Sequence, residues 1–273
     1  MSELSSVGPV VLIGAGKMGL ALARGWLKAG LPPARLVLVD PKPLDETFAF
    51  ASEHGVALQA APGGGSIGVL VLAVKPQIMG VVLAQVEPAI GPETLVISIA
   101  AGIALTTLTQ GLDHERVIRT MPNTPAQIGK GITGAVAASG VTEADKVVAM
   151  ALLAAAGPAV WLEDEAQIDA VTAVSGSGPA YVFHLVEALT AAGIKQGLPA
   201  VIAAQLARQT VIGSAALLEA DPAPAAKLRE NVTSPNGTTA AALAVLMGAD
   251  GLTQLMDRAV DAARRRSEEL GRG

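Results

Sequence analysis

Hydrophobic and polar positions follow different patterns in the two parts of the chain. Over roughly the first 160 residues, short β-branched runs alternate with segments of helical spacing. This alternation is typical of a parallel sheet that is covered by helices on both faces. It predicts strands at residues 10–13, 36–39, 69–74, 95–99 and 117–119, with helices at 19–29 and 44–53.

The strand pattern stops after Leu162, and segments rich in alanine and leucine then continue almost to the last residue. Breaks at Gly197, Asp221 and Gly248 divide these segments into helices. We therefore predict an α/β protein, with an N-terminal doubly wound parallel sheet in residues 1–163 and an all-α domain in residues 164–273. The acidic residues at this boundary can cap the first helix of the second domain.

A glycine-rich motif directly follows the first predicted strand and opens the first helix. In this context, the first glycine permits a tight turn, the second lets backbone amides approach a pyrophosphate, and the third lets the helix pack closely on the strand. The helix N-terminus also favours the bound anion. The motif therefore predicts a Rossmann-like domain that binds a nicotinamide dinucleotide through Gly14, Ala15, Gly16, Lys17, Met18 and Gly19.

Two residues after the second strand bear on the kind of dinucleotide. Asp40 lies about 20 residues beyond the motif, where Rossmann domains place an acidic residue on the ribose hydroxyls, and this favours NAD. Lys42 points the other way, because its ammonium can meet the 2′-phosphate of NADP if Asp40 turns aside. The sequence thus predicts NADH or NADPH as the cofactor and leaves the choice open.

Further strand ends are expected at the same edge of the sheet. Val74, Lys75 and Pro76 close one strand, and Ala100 follows the next among small residues that admit a flat ring. Asn123 lies after the last parallel strand, in a loop stiffened by prolines. We predict cofactor contacts at these positions, although Lys75 can equally cap its strand end and Asn123 can equally form an Asx turn.

The helical half contains two polar motifs, each at the start of a predicted helix. Small residues at 175–181 would let their helix approach a nicotinamide or a substrate ring, and Tyr181 and His184 on this helix are expected to be structural rather than acids. Residues 234–239 combine an X-Pro restriction, a glycine and hydroxyl side chains before the apolar helix 240–247. They can present backbone amides and a helix N-terminus to a carboxylate. The alternative is a helix cap whose hydroxyl groups bond only to the backbone.

Taken in order, these motifs resemble those of the Δ1-pyrroline-5-carboxylate reductase family. The resemblance runs from the glycine-rich turn through residues 74–76, 121–125, 173–181 and 232–239 to 266–270. It implies reduction of a cyclic imine carboxylate, the small-molecule substrate, to proline by hydride from NADH or NADPH. It also implies that the all-α domain mediates dimerisation, so we expect a homodimer or a larger ring of dimers.

The resemblance also assigns roles to residues of the helical half. Thr239 corresponds to the family's substrate-contacting threonine and is predicted to be the catalytic residue, hydrogen-bonded to the ring nitrogen. The remaining predicted substrate contacts are Ser234, Pro235, Asn236, Gly237 and Thr238, which form the carboxylate-binding turn, together with Ser175 and Gly176. Asn236 departs from the family's usual glycine, but asparagine tolerates left-handed backbone geometry, so the turn is expected to survive.

A second departure concerns the cofactor and lies at residues 62–65, where relatives often place an asparagine near the 2′-phosphate. Two other functions are considered. A 3-hydroxy acid dehydrogenase would need a lysine on the helix after the 175–179 motif, yet residues 180–182 provide none and the first is Lys195. A nicotinamide-sensing binding protein without turnover is the other alternative, and the substrate-like turn at 234–239 argues against it.

Composition narrows the expected partners and location. The net charge is -5 and the 19 basic residues are scattered, so nucleic-acid binding is not expected. Cysteine is absent, which excludes disulfides and cysteine metal sites, and no metal site is predicted. The apolar stretch at 147–162 is broken by Gly157 and Pro158, so it predicts a buried helix followed by a strand rather than a membrane span, and no export signal is recognised. We therefore expect a cytoplasmic protein that does not bind membranes.

Overall fold

A computed structural model describes residues 3–63 and 65–271. The strands in these residues are β1 (Val10–Ile13), β2 (Leu36–Val39), β3 (Ala57–Gln59), β4 (Val69–Leu72), β5 (Leu95–Ser98), β6 (Val117–Met121), β7 (Thr133–Ala137) and β8 (Ala159–Trp161). They form one eight-stranded sheet in the order β3-β2-β1-β4-β5-β6-β7-β8. Neighbouring strands are parallel except for β6 and β7, which are antiparallel.

The sheet confirms the predicted fold class, and each of the predicted strands is present. Two strands, β3 and β7, were not predicted, for physical reasons that differ. The outer strand β3 has only three residues and remains partly exposed, so it shows no clear hydrophobic pattern. The other outer strand, β8, is equally short and is the strand predicted after Gly157 and Pro158. The sequence of β7 is rich in small residues, and its antiparallel pairing with β6 makes the sheet mixed rather than wholly parallel.

The chain forms two compact units. The first extends to Gly176 and also includes the residues from Arg264 onward, whereas the second is Ser177–Ala263. The helices of the first unit are α1 (Lys17–Lys28), α2 (Asp45–His54), α3 (Met79–Val86), α4 (Leu105–Leu112), α5 (Glu143–Ala154) and α6 (Gln167–Val171).

The core of the first unit lies on both faces of the sheet. In β1, Val10 and Leu12 belong to one buried apolar cluster, while Val11 and Ile13 belong to another. Successive side chains of a strand point to opposite faces, so a strand covered on both sides is apolar throughout. The Trp26 indole nitrogen donates to the Leu152 carbonyl oxygen at 2.9 Å and so ties α1 to α5.

Helix α5 begins at a capping box that is joined to an ion pair. The Thr142 hydroxyl accepts the Asp145 amide at 3.2 Å, and the Asp145 carboxylate accepts the Thr142 amide at 2.9 Å. The Arg116 guanidinium lies 2.7 Å from the same carboxylate. Burial acts to raise the pKa of Asp145, but the hydrogen bonds from Arg116 and Thr142 outweigh it and hold this pKa below its ordinary value.

The second unit consists of α7 (Gly178–Lys195), α8 (Ala200–Ala220), α9 (Ala225–Asn231), α10 (Thr238–Leu246) and the first part of α11 (Leu252–Gly271). Many of its large apolar side chains are exposed, among them Phe183, Val201 and Val245 at 65%, 77% and 75%. By length and composition alone α8 would be long and apolar enough to cross a membrane, and 11% of it is buried. A single such helix is weak evidence for a membrane span.

The last turns of α11 belong to the first unit. The Ser267 hydroxyl donates to the Asp169 carboxylate at 2.6 Å, which ties this end of α11 to α6. Arg264 and Arg266 form ion pairs within the same helix at 3.0 and 2.7 Å. These pairs are exposed, as expected for a basic run on a solvated helix face.

Candidate active site

The carboxyl ends of β1 and β4 meet where the strand order of the sheet reverses. In open α/β sheets this reversal creates a crevice in which ligands bind. A cavity of about 630 Å³ opens there, within the usual size range of small-molecule sites. Its lining includes six of the residues predicted to bind the cofactor, or to bear on the kind of cofactor, namely Gly14, Gly16, Asp40, Lys42, Val74 and Lys75.

The glycine-rich turn has the backbone geometry that a phosphate-binding turn requires. Gly14 adopts a φ of 92°, and a Cβ there would lie 2.7 Å from the Ala73 carbonyl oxygen. A Cβ at Gly19 would collide with the Gly14 carbonyl oxygen, so α1 can approach the turn only because residue 19 is glycine. Gly16 faces open space, with nothing within 4 Å of the position that its Cβ would take. The turn therefore leaves room for a pyrophosphate beside Gly16.

The peptide group of Ala15, in the middle of this turn, is held from both sides. Its amide donates to the Asp40 carboxylate at 3.1 Å, and its carbonyl oxygen accepts the Thr47 hydroxyl at 3.0 Å. Ala15 and Thr47 are buried, with 1% and 0% of their surfaces exposed. The sequence patterns did not single out Thr47, although a threonine on the buried face of a predicted helix is a signal that a polar partner lies nearby.

A second, smaller cavity of about 310 Å³ lies at the ends of β4, β5 and β6. Its lining brings together further predicted site residues, namely Met18, Val74, Lys75, Pro76, Ala100, Asn123 and Gly176. A Cβ at Gly176 would lie 2.6 Å from the Met121 methyl carbon, so the chain passes close to β6 at this point. The small residues leave a shallow space for a flat ring next to the dinucleotide cavity.

Ser175 and Gly176 lie in a short π-helical segment, Thr172–Gly176, that precedes α7. Such segments are rare and are frequent at functional sites. The Ser175 hydroxyl donates to the Val171 carbonyl oxygen at 3.0 Å. This bond satisfies its hydrogen and leaves the oxygen able to accept from a ligand.

The structure gives two predicted cofactor residues distinct surroundings. The Asn123 side-chain oxygen accepts the Ile132 amide at 2.9 Å, so it fixes the loop after β6. Lys75 is exposed at the start of a short helix, Pro76–Ile78, and it lines both cavities. Its ammonium forms no ion pair with another residue of the part of the chain that the structure describes.

Glu165 connects the loop that follows β5 to β6. Its carboxylate accepts the Leu105 amide at 2.7 Å, at the start of α4, and pairs with the Arg119 guanidinium at 2.5 Å. Arg119 is 6% exposed, and its Nε has no hydrogen-bond partner among the described residues. Residues 99–101 and 121–124, which flank these anchor points, line the smaller cavity. Sequence reasoning gave Glu165 only a capping role.

The predicted substrate turn lies in the second unit, directly before α10. Asn236 adopts a φ of 61°, which is left-handed backbone geometry. Asparagine thus takes this geometry at a position where the family usually has glycine. Gly237 is the N-cap of α10, and its amide donates to the Ser234 carbonyl oxygen at 3.1 Å. No side chain caps this helix, and its first turn contains no acidic residue. The first amides of α10 are therefore available to an anion.

The threonine hydroxyl groups of this turn do not form hydrogen bonds with the part of the backbone that the structure describes. Among the described residues, the Thr238 and Thr239 hydroxyls make no recorded hydrogen bond, so the alternative of a helix cap closed by its own side chains does not hold. On α7, the His184 side chain is 80% exposed and lies 3.0 Å from the Glu187 carboxylate.

A groove larger than both cavities, about 890 Å³, lies along α5 beside Trp161. None of the predicted site residues lines it, and its charged residues Glu143 and Lys146 pair with each other at 2.7 Å. No group of three or more potential metal-ligating side chains occurs within residues 3–63 and 65–271. The chemistry of this unit is therefore expected at the ends of the strands.

A glycine cradle at the switch point of a doubly wound sheet, followed by an all-α unit, defines a dinucleotide-dependent oxidoreductase. The family described as "Pyrroline-5-carboxylate reductase dimerisation" matches residues 165–270. The family described as "NADP oxidoreductase coenzyme F420-dependent" matches residues 9–102. Together these two matches cover the all-α half and the first strands of the sheet.

Proteins similar along almost the whole chain share one description. The pyrroline-5-carboxylate reductase of Pseudomonas aeruginosa is 44% identical over 264 residues, which are 96% of each chain. That of Haemophilus influenzae is 40% identical over 265 residues, 96% of this chain and 97% of the relative. The chain belongs to the pyrroline-5-carboxylate reductase family.

Solved structures agree with this assignment. A pyrroline-5-carboxylate reductase from Coxiella burnetii has a TM-score of 0.90 at 33% identity, over 97% of this chain and 99% of that one. The pyrroline carboxylate reductase of Plasmodium falciparum, solved with NADP bound, has a TM-score of 0.81 at 28% identity, over 98% and 99%. These relatives are neither 3-hydroxy acid dehydrogenases nor binding proteins without turnover.

Proposed function

We propose that this chain catalyses the reduction of Δ1-pyrroline-5-carboxylate to L-proline, the last step of proline biosynthesis, with hydride from NADH or NADPH. The observation that carries the proposal is the start of α10, which no side chain caps and which follows the family's 234–239 motif. The same chain contains the glycine-rich turn at residues 14–19. The glycine-rich turn can bind the dinucleotide that donates the hydride, and the turn at residues 234–239 can bind the anionic substrate that accepts it. Neither feature alone defines this reaction.

The turn before α10 is suited to the substrate carboxylate. Its backbone is bent by the left-handed Asn236, and its helix begins without a side-chain cap or an acidic residue. Free amides and the helix dipole both favour an anion at this end. We propose that the turn comprising Ser234, Pro235, Asn236, Gly237 and Thr238 binds the carboxylate, with Ser175 and Gly176 as further contacts.

Thr239 is the proposed catalytic residue. It is half-buried in the first turn of α10, and its hydroxyl has no recorded partner among the described residues. A hydroxyl both donates and accepts, so it can bond to the ring nitrogen and steer its proton. An imine protonated in solution is already an electrophile, so orientation rather than acid catalysis can supply most of the rate.

The residues of the first unit fit a bound dinucleotide, because Gly14 and Gly19 allow a tight turn that side chains would block and because Gly16 faces open space. We propose that Gly14 to Gly19 and Asp40 hold the phosphates and the adenosine ribose, and that Lys75, Ala100 and Asn123 lie beside the nicotinamide. When bound, the reduced cofactor supplies the hydride. The protein's own contribution is to position the ring and exclude water from it.

A spectrophotometric assay tests this function directly. Chemically prepared pyrroline-5-carboxylate is added to the purified chain with NADH, and separately with NADPH, while the absorbance of the reduced nicotinamide is followed. We expect oxidation of at least one cofactor that depends on the substrate, together with formation of proline. Oxidation of neither cofactor would contradict the proposal and would favour the sensing alternative.

We also propose that the chain assembles as a homodimer or a larger ring of dimers through its second unit. The exposed side chains of Phe183, Val201 and Val245 are more than such a unit leaves open to water by itself. A second copy that covers them explains the apolar surface of α8 without a membrane. Light scattering should give at least twice the mass of 27.4 kDa, whereas a monomer at micromolar concentration would contradict this. The cytoplasmic location stays a prediction.

A further inference from the structure

Asp40 is placed to decide which dinucleotide the first cavity accepts. It follows β2 and lines the cavity together with Pro41, Lys42, Ala60 and Ala61. An acidic residue at this position bonds the ribose hydroxyls of NAD, whereas NADP carries a phosphate on one of them. The sequence leaves the choice open because an aspartate that turns aside would make room for this phosphate.

The structure shows an aspartate that is held in place. One carboxylate oxygen accepts the Ala15 amide at 3.1 Å, and the other accepts the Lys42 amide at 2.9 Å. Ala15 is only 1% exposed, so its amide would lose a buried hydrogen bond if the carboxylate moved. Because a carboxylate oxygen has two lone pairs, both oxygens can still accept a ribose hydroxyl.

The held carboxylate is part of the phosphate-binding turn itself. Thr47, which is fully buried, fixes the other side of the same peptide group by donating to the Ala15 carbonyl oxygen at 3.0 Å. Rotation of Asp40 would therefore disturb the turn on which the pyrophosphate rests. Accommodation of a 2′-phosphate by movement of this side chain would weaken the rest of the dinucleotide site.

The surroundings offer little positive charge for a 2′-phosphate. Helix α2 begins just after Asp40, but its first turn carries Asp45 and Glu46, which oppose an anion at its N-terminus. Arg24 is already paired with Glu46 at 2.9 Å. Ala60, Ala61 and Pro62, which follow β3 and also line the cavity, provide no side-chain donor. Gly64, part of the 62–65 segment, lies outside the described residues.

The lining of this cavity contains two lysines, of which Lys75 is the proposed neighbour of the nicotinamide and Lys42 lies two residues from Asp40. The Lys42 side chain is exposed and makes no recorded ion pair among the described residues. A single exposed ammonium gains little from an ion pair because water screens it. A 2′-phosphate carries close to two negative charges, so the fixed Asp40 carboxylate would repel it. The Lys42 ammonium does not offset this repulsion.

We infer that this chain prefers NADH over NADPH, with the immobilised Asp40 as the residue that determines this specificity. The inference deepens the proposed function, since it names the donor for the same reaction. The Plasmodium falciparum relative was solved with NADP bound, so the inferred preference of this chain differs from the cofactor seen in that structure.

Binding measured without the imine substrate tests the inference separately from the reaction. Dissociation constants for NADH and NADPH are determined by calorimetry on the unmodified chain at low and physiological ionic strength. We expect NADH to bind at least about tenfold more tightly, with the gap narrowing as salt screens the carboxylate. Tighter or equal binding of NADPH would overturn the inference and leave the proposed function intact. Binding of neither dinucleotide would overturn both.

Two variants with the same change of charge sharpen the test. Asp40→Asn retains the shape and one acceptor oxygen but removes the charge, so the ratio of the two dissociation constants should fall at least about fivefold toward NADPH. Glu53→Gln makes the same change at an exposed position in the last turn of α2, and the ratio should stay within about twofold. An unchanged ratio in Asp40→Asn, with NADH still bound, would also overturn the inference. The ratio of kcat/KM values should follow the ratio of dissociation constants.

Discussion

The glycine-rich turn and the turn at residues 234–239 each open a helix, but the protein holds them in different ways. In the first, the peptide group of Ala15 is buried and is bonded by Asp40 and Thr47, which come from other elements. In the second, the recorded bond joins Gly237 to Ser234 within the turn itself. Ser234, Asn236 and Thr238 are exposed.

This difference shows which part of the chemistry the folded chain prepares by itself. The dinucleotide turn is fixed before any ligand arrives, so its geometry costs little to use. In the turn at residues 234–239, the Thr238 and Thr239 hydroxyls have no partner among the described residues, and we expect the proposed substrate to satisfy them. A change in the first turn should therefore affect cofactor binding, while a change in the second should affect the reaction and leave cofactor binding unchanged.

The largest effect is expected for Thr239→Ala. Loss of its hydroxyl should lower kcat/KM for pyrroline-5-carboxylate about 100-fold, close to 2.7 kcal/mol, in the usual range for a group that positions a proton. The dissociation constant of NADH should not change. Thr239→Ser, which keeps the hydroxyl, should remain within a few-fold of wild type. Wild-type kcat/KM in the alanine variant would remove Thr239 from the mechanism.

Two glycine substitutions should distinguish a glycine needed for cofactor binding from a glycine needed for stability. Gly16→Ala places a methyl group where no protein atom lies within 4 Å, so the melting temperature should stay within about 2 °C. Its methyl group should nevertheless weaken NADH binding about tenfold, by occupying room intended for the pyrophosphate. In Gly19→Ala, the collision with the Gly14 carbonyl oxygen should lower the melting temperature as well. Unaltered NADH affinity in Gly16→Ala would contradict this placement.

A smaller, indirect effect is expected at Glu165. Glu165→Ala removes both the acceptor for the Leu105 amide and the partner of buried Arg119, so kcat/KM should fall about fivefold as the loops beside the smaller cavity loosen. Glu165→Gln keeps an acceptor oxygen and should recover part of this loss. Glu163→Gln, at an exposed neighbour, is the control. Steady-state kinetics of the three variants would contradict the role if Glu165→Ala matched the control.

The smallest effect concerns the pH dependence of stability in the first unit. The folded-state pKa of Asp145 is held below its unfolded value, so its contribution to stability is present above about pH 4 and is lost as pH falls through the folded pKa. Denaturant unfolding between pH 6 and pH 3, roughly, should show this loss. Asp145→Asn should flatten part of that slope. An unchanged slope in this variant would show that other carboxylates account for the acid sensitivity.

Much of the fold could be predicted because both patterns are local. The alternation of strands and helices and the end of the strand pattern after Leu162 depend on burial of one face or both, which the sequence displays directly. The outer strand β3 was not predicted because three partly exposed residues carry no periodic signal. Strand β7 was not predicted because it is rich in small residues and because its own sequence does not mark the antiparallel pairing with β6.

The site was predictable only as far as motifs describe it. The glycines and the Ser234 to Thr239 segment are contiguous in the sequence, so their roles can be proposed from spacing. Thr47 and Glu165 act through partners 32 and 60 residues away, and no spacing rule connects such pairs. The position of Asp40 in the cofactor site could be predicted from the sequence, but the two hydrogen bonds that hold its carboxylate could not.

The central claim is that this chain delivers a hydride to the imine carbon of pyrroline-5-carboxylate. The most direct test is a reaction with NADH deuterated at both C4 positions, followed by mass spectrometry of the product. The account predicts L-proline that carries a single deuterium at C5, formed in step with the loss of NADH. Proline without deuterium, or loss of NADH without any proline, would contradict it.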